Sequence, residues 1–159
     1  MTKVKKISTC LWFDDRAEEA VNFYTSVFSN SKILSTSYYQ SQGNEEKKKV
    51  LTITFEIEGQ NFIALNGGPH FTFTPAISIS VSCETQEEVD ILWSKLTEGG
   101  KESKCAWLED KYGLSWQIVP TILGKLLGDP DPIKAKNVME AMLKMQKIDI
   151  KALQEAYDK

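Results

Sequence analysis

Cys10, Cys105 and His70 are the most reactive side chains of this 159-residue chain. Either thiol could act as a nucleophile, but a thiolate at neutral pH needs a base or cation beside it. The only imidazole is that of His70, so inert cysteines are the alternative. Three cysteines without paired spacing and one histidine make a disulfide framework and a structural zinc site poor readings. They fit reduced thiols in a cytoplasm. A second set of residues could bind rather than break bonds. Ser8, Cys10 and Trp12 alternate along one apolar run. Ser78 with Ser80, Cys105 with Trp107, and Ser115 with Gln117 do so along three others. Flat apolar walls from Trp12 and Trp107, with neutral polar groups from Ser8, Ser78 and Gln117, describe a small-molecule pocket. The same residues could instead fill a sheet interior.

The elements that must position them follow from periodicity. Ile7 to Phe13 alternates, with Ile7, Thr9, Leu11 and Phe13 on one face, which predicts a strand. Asp14 or Asp15 can cap a helix whose stripe is Ala17, Ala20, Val21, Tyr24 and Phe28. Ile33 to Gln40 reads as a second strand, and Ser41 to Lys49 as a solvated hairpin loop with a functional lid as the minor alternative. Val50 to Ile57 and Phe62 to Leu65 form a hairpin about Glu58-Gly59-Gln60-Asn61. Asn66-Gly67-Gly68-Pro69 breaks the pattern, which then restarts. Ala76 to Ser82 is a strand with Ile77, Ile79 and Val81 on one face. Thr85 and Glu88 make a capping box for a helix with the stripe Val89, Leu92, Trp93 and Leu96. Gly99-Gly100 stops it. Short strands follow at Cys105 to Leu108 and Leu114 to Val119, joined by a turn in which Asp110 is structural and Gly113 permits positive φ. The order strand, helix, strands thus occurs twice at an offset near 70 residues, with Ile7, Thr9 and Leu11 matching Ile77, Ile79 and Val81.

After Gly128 the pattern changes. Asp131 caps and Pro132 opens a helix carrying Val138, Met142 and Met145, with Met139 and Leu143, and Asp149 caps a last helix with Ile150, Leu153 and Tyr157. The Met-rich stripe reads as a docking surface for the sheet or a second subunit, or as a peptide-binding groove.

Composition narrows the function classes. Apolar residues make up 42% and charged ones 26%, and the net charge is −3, which argues against nucleic-acid binding. No run approaches the ~20 apolar residues of a membrane span. MTKVKKISTC lacks an apolar signal core, so a cytoplasmic location is expected.

The blocks CLWFDDRAEEAVNFYTSVF, ALNGGPHFTFTPAISISVSC and CAWLEDKYGLSWQIVP, with the DPDP-initiated Met-rich tail, resemble the PhnB-like family. That family is also described as 3-demethylubiquinone-9 3-methyltransferase-type domains. It belongs to the vicinal oxygen chelate superfamily of glyoxalases, bleomycin-resistance proteins and extradiol dioxygenases. The resemblance runs from Ile7 to Tyr157. It implies an α+β fold of paired βαβββ modules that curl mixed sheets into half-open cups. One glyoxalase-like domain would span 1–127, its modules about 1–68 and 69–127, followed by a helical tail at 128–159. It also implies a homodimer that shares or swaps modules.

In metal-dependent members of the superfamily, His or Glu on inward strand positions hold a divalent ion that chelates two substrate oxygens. Those positions fall here at Ser8, at Ala76 or Ser78, near Ala64, and at Gln117. None is a carboxylate or an imidazole, and neutral oxygens hold transition metals poorly, so no metal and no cofactor are expected. Methyl transfer is not expected either, because no Gly-rich turn joins a strand to a helix where it could cradle a nucleoside. Three functions remain. The first is a cup, lined by Ser8, Cys10, Trp12, Ser78, Cys105, Trp107, Ser115 and Gln117, that binds a small molecule without metal. The second is an enzyme of the superfamily acting on a small oxygenated metabolite, its acid–base groups drawn from Asp14, Asp15, Cys10 or His70. The third is a dimer with a filled cavity and a tail that meets a protein partner. The lack of paired carboxylates at the cup positions favours the first over the second.

Overall fold

Alternating apolar residues build the first sheet, and one helix covers it. A computed structural model describes residues 5–40, 43 and 48–159, so most of the Ser41–Lys49 loop lies outside the described residues. The chain divides into two compact units, the first reaching Thr72 and the second spanning Phe73–Lys159. The first unit runs β1 (Thr9–Phe13), α1 (Ala17–Val27), β2 (Ser31–Tyr38), β3 (Val50–Ile57) and β4 (Gln60–Asn66). Its sheet order is β1-β4-β3-β2, with β1 parallel to β4 and the other pairs antiparallel. Leu11, Phe13, Ile53, Phe55, Phe62 and Ala64 are buried toward α1, whose own buried stripe is Ala17, Ala20, Val21, Tyr24 and Val27. Tyr24 stacks on Phe55 at 6.4 Å, and Phe55 on Phe62 at 5.3 Å.

Two local expectations change. β1 starts at Thr9, not Ile7, which is 84% exposed. Thr9 pairs with Phe62, and the two β4 residues before Phe62, Gln60 and Asn61, pair with β3 alone. Nor does Asp14 or Asp15 cap α1. The Ala17 N–H donates to Asn66 Oδ1 at 2.9 Å, while the Asn66 amide donates to the Val50 carbonyl at 3.1 Å. Register places Asn66 beside Phe13, directly under the first turn of the helix.

The second unit repeats the plan as β5 (Ser78–Cys83), α2 (Gln86–Thr97), β6 (Lys101–Glu102), β7 (Trp107–Glu109) and β8 (Ser115–Pro120), with sheet order β5-β8-β7-β6. Ile77 precedes the strand and is 69% exposed. The capping box forms: Thr85 Oγ1 accepts from the Glu88 N–H at 3.1 Å, and the Glu88 carboxylate accepts from the N–H of Glu84 at 2.9 Å. Each unit is therefore a βαβββ module. Thr9 and Ile79, 70 residues apart, pair with Phe62 and Trp116, only 54 apart. The repeat thus holds in register, while the first module has the longer middle strands.

The tail packs within the second unit. α3 (Thr121–Leu127), which sequence periodicity does not reveal, leaves β8 directly, followed by α4 (Pro132–Met142) and α5 (Ile150–Tyr157). Asp131 accepts from the N–H groups of Ile133 and Lys134, and Asp149 from that of Ala152, as their spacing predicts. Leu123, Leu126, Val138, Ile148 and Leu153 bury together with Ala106, and Met142, Met145 and Tyr157 pack against them. The Met stripe is narrower than expected. Met139 and Leu143 lie on the outer side of α4 and are exposed.

Candidate functional site

Each sheet has one face under its helix, and the candidate strand residues, Cys105 apart, lie on the other. Side chains alternate across a strand and paired residues share a side. In the first unit Cys10 and Trp12 thus lie with Ile63, Leu65, Thr52, Thr54 and Glu56, opposite α1. In the second unit Ser78, Ser80, Ser115, Gln117 and Trp107 share the face opposite α2, since Ser78 pairs with Ser115, Ser80 with Gln117 and Trp107 with Gln117. Gln117 Nε2 donates to Ser78 Oγ at 2.9 Å. Ser115 is 3% exposed, while Trp107 and Gln117 are half-buried. Ser8 is half-buried just before β1.

Cys105 does not belong to this row. It and Ala106 have φ of 56° and 77°, so they form a left-handed bend ahead of β7, and the strand alternation with Trp107 fails there. The Cys105 thiol donates to the Met142 carbonyl at 3.7 Å, on the side of the tail. Cys10 is exposed at mid-strand, and partial burial of its thiol pushes its pKa up, away from a nucleophile. Cys83 lies buried on the α2 side, and burial first, then Glu88 and Glu84, push its thiol up to about 11.

Trp12 is in contact with its own linker. Its Nε1 donates to the Gly68 carbonyl at 2.9 Å, and the Phe71 ring meets it edge-on at 4.9 Å. Gly67 lies flat against the indole, where a Cβ would come within 2.3 Å of ring carbon. The Asn-Gly-Gly-Pro cluster is thus a close-packed wall as well as a breaker.

Sequence reasoning missed Asn61. It is 8% exposed, and its Oδ1 is buried with no hydrogen-bond partner. It pairs with Glu56 across the β3–β4 hairpin and lies opposite α1. Glycines of positive φ, Gly59 and Gly113, precede β4 and β8. Aligning the two units on them matches Asn61 with Ser115, Phe62 with Trp116 and Ile63 with Gln117. That alignment corrects the metal-ligand position placed near Ala64. Ala64 is fully buried toward α1, and Ile63 is the counterpart of Gln117. A slip of one residue puts a side chain on the wrong face.

The other carried-over positions also offer a metal little. Ala76 lies outside β5, Ser78 Oγ is engaged by Gln117, and Ile63 has no donor atom. Charge is not wholly absent from these faces, however. Glu56 sits 3.6 Å from the Lys5 ammonium and 3.7 Å from that of Lys32, and Glu109 3.9 Å from that of Lys101. Among the described residues no three His, Cys, Asp or Glu side chains could jointly hold an ion. The divalent metal that the sequence resemblance implies does not fit the donors among the described residues. Asp14, Asp15 and His70 are exposed in connecting segments.

The sequence profile of the 3-demethylubiquinone-9 3-methyltransferase family matches residues 5–119. The chain belongs to this family. A PhnB protein of the same description from Bacillus cereus is 41% identical, with a TM-score of 0.66 over 74% of this chain and 100% of that one. A Pseudomonas aeruginosa protein shares 17% identity, with a TM-score of 0.60 over 74% and 98% of the two chains. A fosfomycin resistance protein from Listeria monocytogenes shares 13%, with a TM-score of 0.52 over 75% and 94%. These likenesses show that the chain shares its fold with the Bacillus, Pseudomonas and Listeria proteins. No curated protein matches the chain. The family name implies adenosylmethionine, but the strand-to-helix turns among the described residues do not fit it. The β1–α1 turn is Asp14-Asp15-Arg16, the β5–α2 turn is Glu84-Thr85, and Gly67 is stacked under Trp12. No helix among the described residues is long and apolar enough to cross a membrane.

Proposed function

We propose that this chain binds a small, uncharged, partly aromatic molecule without the help of a metal ion. The observation that carries this reading is the row Ser78–Gln117–Trp107 on the face opposite α2. A carboxamide and hydroxyls there stand beside an indole, half-buried on a rigid sheet. Gln117 has an amide hydrogen and a carbonyl oxygen beyond its bond to Ser78 with which to meet a ligand. Trp107 supplies the plane for stacking. A cytoplasmic homodimer is part of the proposal, supported by three free cysteines and by the exposed Ile7, Phe71 and Ile77.

A thermal-shift screen with phenols, aromatic amides and small heteroaromatics tests this. A ligand at about a hundred times its Kd stabilises by ~2.7 kcal/mol, which reads as a rise of several degrees. At least one compound should do so with chelator present. A flat screen would mean that these residues only pack the sheets.

A further inference from the structure

Cys105 and Ala106 stand in a conformation that L side chains rarely adopt, at φ of 56° and 77°, and neither is glycine. The tail holds them there. The Cys105 N–H donates to the Met145 carbonyl and the Ala106 N–H to the Gln146 carbonyl, both at 2.9 Å. The Ala106 methyl is buried among Leu123, Val138, Ile148 and Leu153. Its carbonyl in turn accepts the Ile118 N–H of β8 at 2.9 Å, and the next residue along the chain is Trp107. The segment that supplies those carbonyls is anchored at its far end. Gln86, at the start of α2, donates to the Ile148 carbonyl at 3.0 Å and accepts the Ile150 N–H at 2.7 Å, and Lys147 pairs with Asp90 at 2.9 Å.

We infer that residues 142–148 form a strap, tied to α2 through Gln86, that imposes the left-handed bend at Cys105–Ala106 and so positions Trp107 beside Gln117. The strap lies beyond the family match, which ends at residue 119. Val119, at the end of the face that carries Gln117, packs against the same tail cluster. The tail is therefore a positioning element for that face, not an appendage. Its consequence for a ligand rests on the function proposed above, but its mechanical part does not.

Amide hydrogen exchange on the full chain with Gln86→Ala tests the strap. The amides of Cys105 and Ala106 should exchange about tenfold faster or more, as local opening predicts, while those of β3 and β4 stay unchanged. The Trp107 indole N–H signal should shift, and adding Ala106→Gly, which tolerates positive φ, should restore it. If Gln86→Ala does not fold, Gln86→Glu is read instead, since it keeps the acceptor for Ile150 and loses the donor to Ile148. Unchanged protection at Cys105 and Ala106, when the amides of Met145 and Ile150 exchange faster, would overturn the inference. None of these readouts needs a ligand, so a flat compound screen and a failed strap are separate results.

Discussion

Gln117 and Ser78 lie on neighbouring parallel strands two register steps apart, and the carboxamide of the first reaches back to the hydroxyl of the second at 2.9 Å. That reach fixes the Gln117 side chain on the face opposite α2, next to Trp107. Gln117→Leu should therefore weaken binding of any compound found in the screen by about tenfold or more, the loss of one or two hydrogen bonds to a ligand. Its thermal midpoint without ligand should change little, because both partners are only half-buried. Calorimetric titration of the two proteins checks the first expectation and a melting curve the second.

Asn61→Leu should raise stability by ~1 kcal/mol in the absence of ligand. It removes a buried carbonyl oxygen that has no partner and substitutes apolar atoms of similar size. Urea denaturation checks this. Destabilisation by a similar amount would show that the oxygen is satisfied in solution.

Asn66→Ala should cost about 2 kcal/mol, because it takes away the cap of α1 and strands the Val50 carbonyl. Asp15→Ala should shift the urea midpoint hardly at all, although Asp15 sits where a local helix cap would be expected. A larger loss for Asp15 than for Asn66 would contradict the tertiary cap.

Cys83 sets a pH dependence. Burial, then Glu88 and Glu84, raise its thiol to about 11 in the fold from an ordinary 9.0. The unfolded chain releases that proton first, so the native state holds more protons between the two values and stability falls as pH rises from 9 to 11. Below 9 the contribution is fully present. A rise of that size is worth about 2 to 3 kcal/mol. Cys83→Ala should remove that part of the alkaline loss, measured as the difference between the two proteins in urea midpoints against pH.

Much of this fold is legible because short-range pattern and tertiary outcome agree. Leu11 and Phe13 alternate and are buried, and the stripe from Ala17 to Tyr24 faces the sheet. Thr85 with Glu88, and Asp131 with Pro132, begin helices where their spacing says. What is not legible depends on partners distant in sequence. Asn66 caps a helix 49 residues away, so no local rule could favour it over Asp14 and Asp15. Cys105 looks like a strand residue because its neighbours alternate, and only the carbonyls of Met145 and Gln146 turn it the other way. The two-residue β6 carries too few side chains for a period, and in α3 Gly124 interrupts an apolar run. That Ser78, Trp107 and Gln117 share one side of their sheet is legible by parity. The first-half counterpart of Gln117 falls wrongly on Ala64 unless the two halves are aligned on Gly59 and Gly113, whose turns set the register of the strands that follow.

The face that carries Ser78, Trp107 and Gln117 is central, and a two-dimensional amide spectrum tests it most directly. The chain is titrated with the best stabilising aromatic compound in the presence of chelator. The predicted result is a set of shifts centred on the Gln117 side-chain amide, the Trp107 indole and the backbone of Ser78, unchanged by the chelator. Shifts elsewhere with those three silent, or binding that vanishes until a divalent metal is restored, would contradict it.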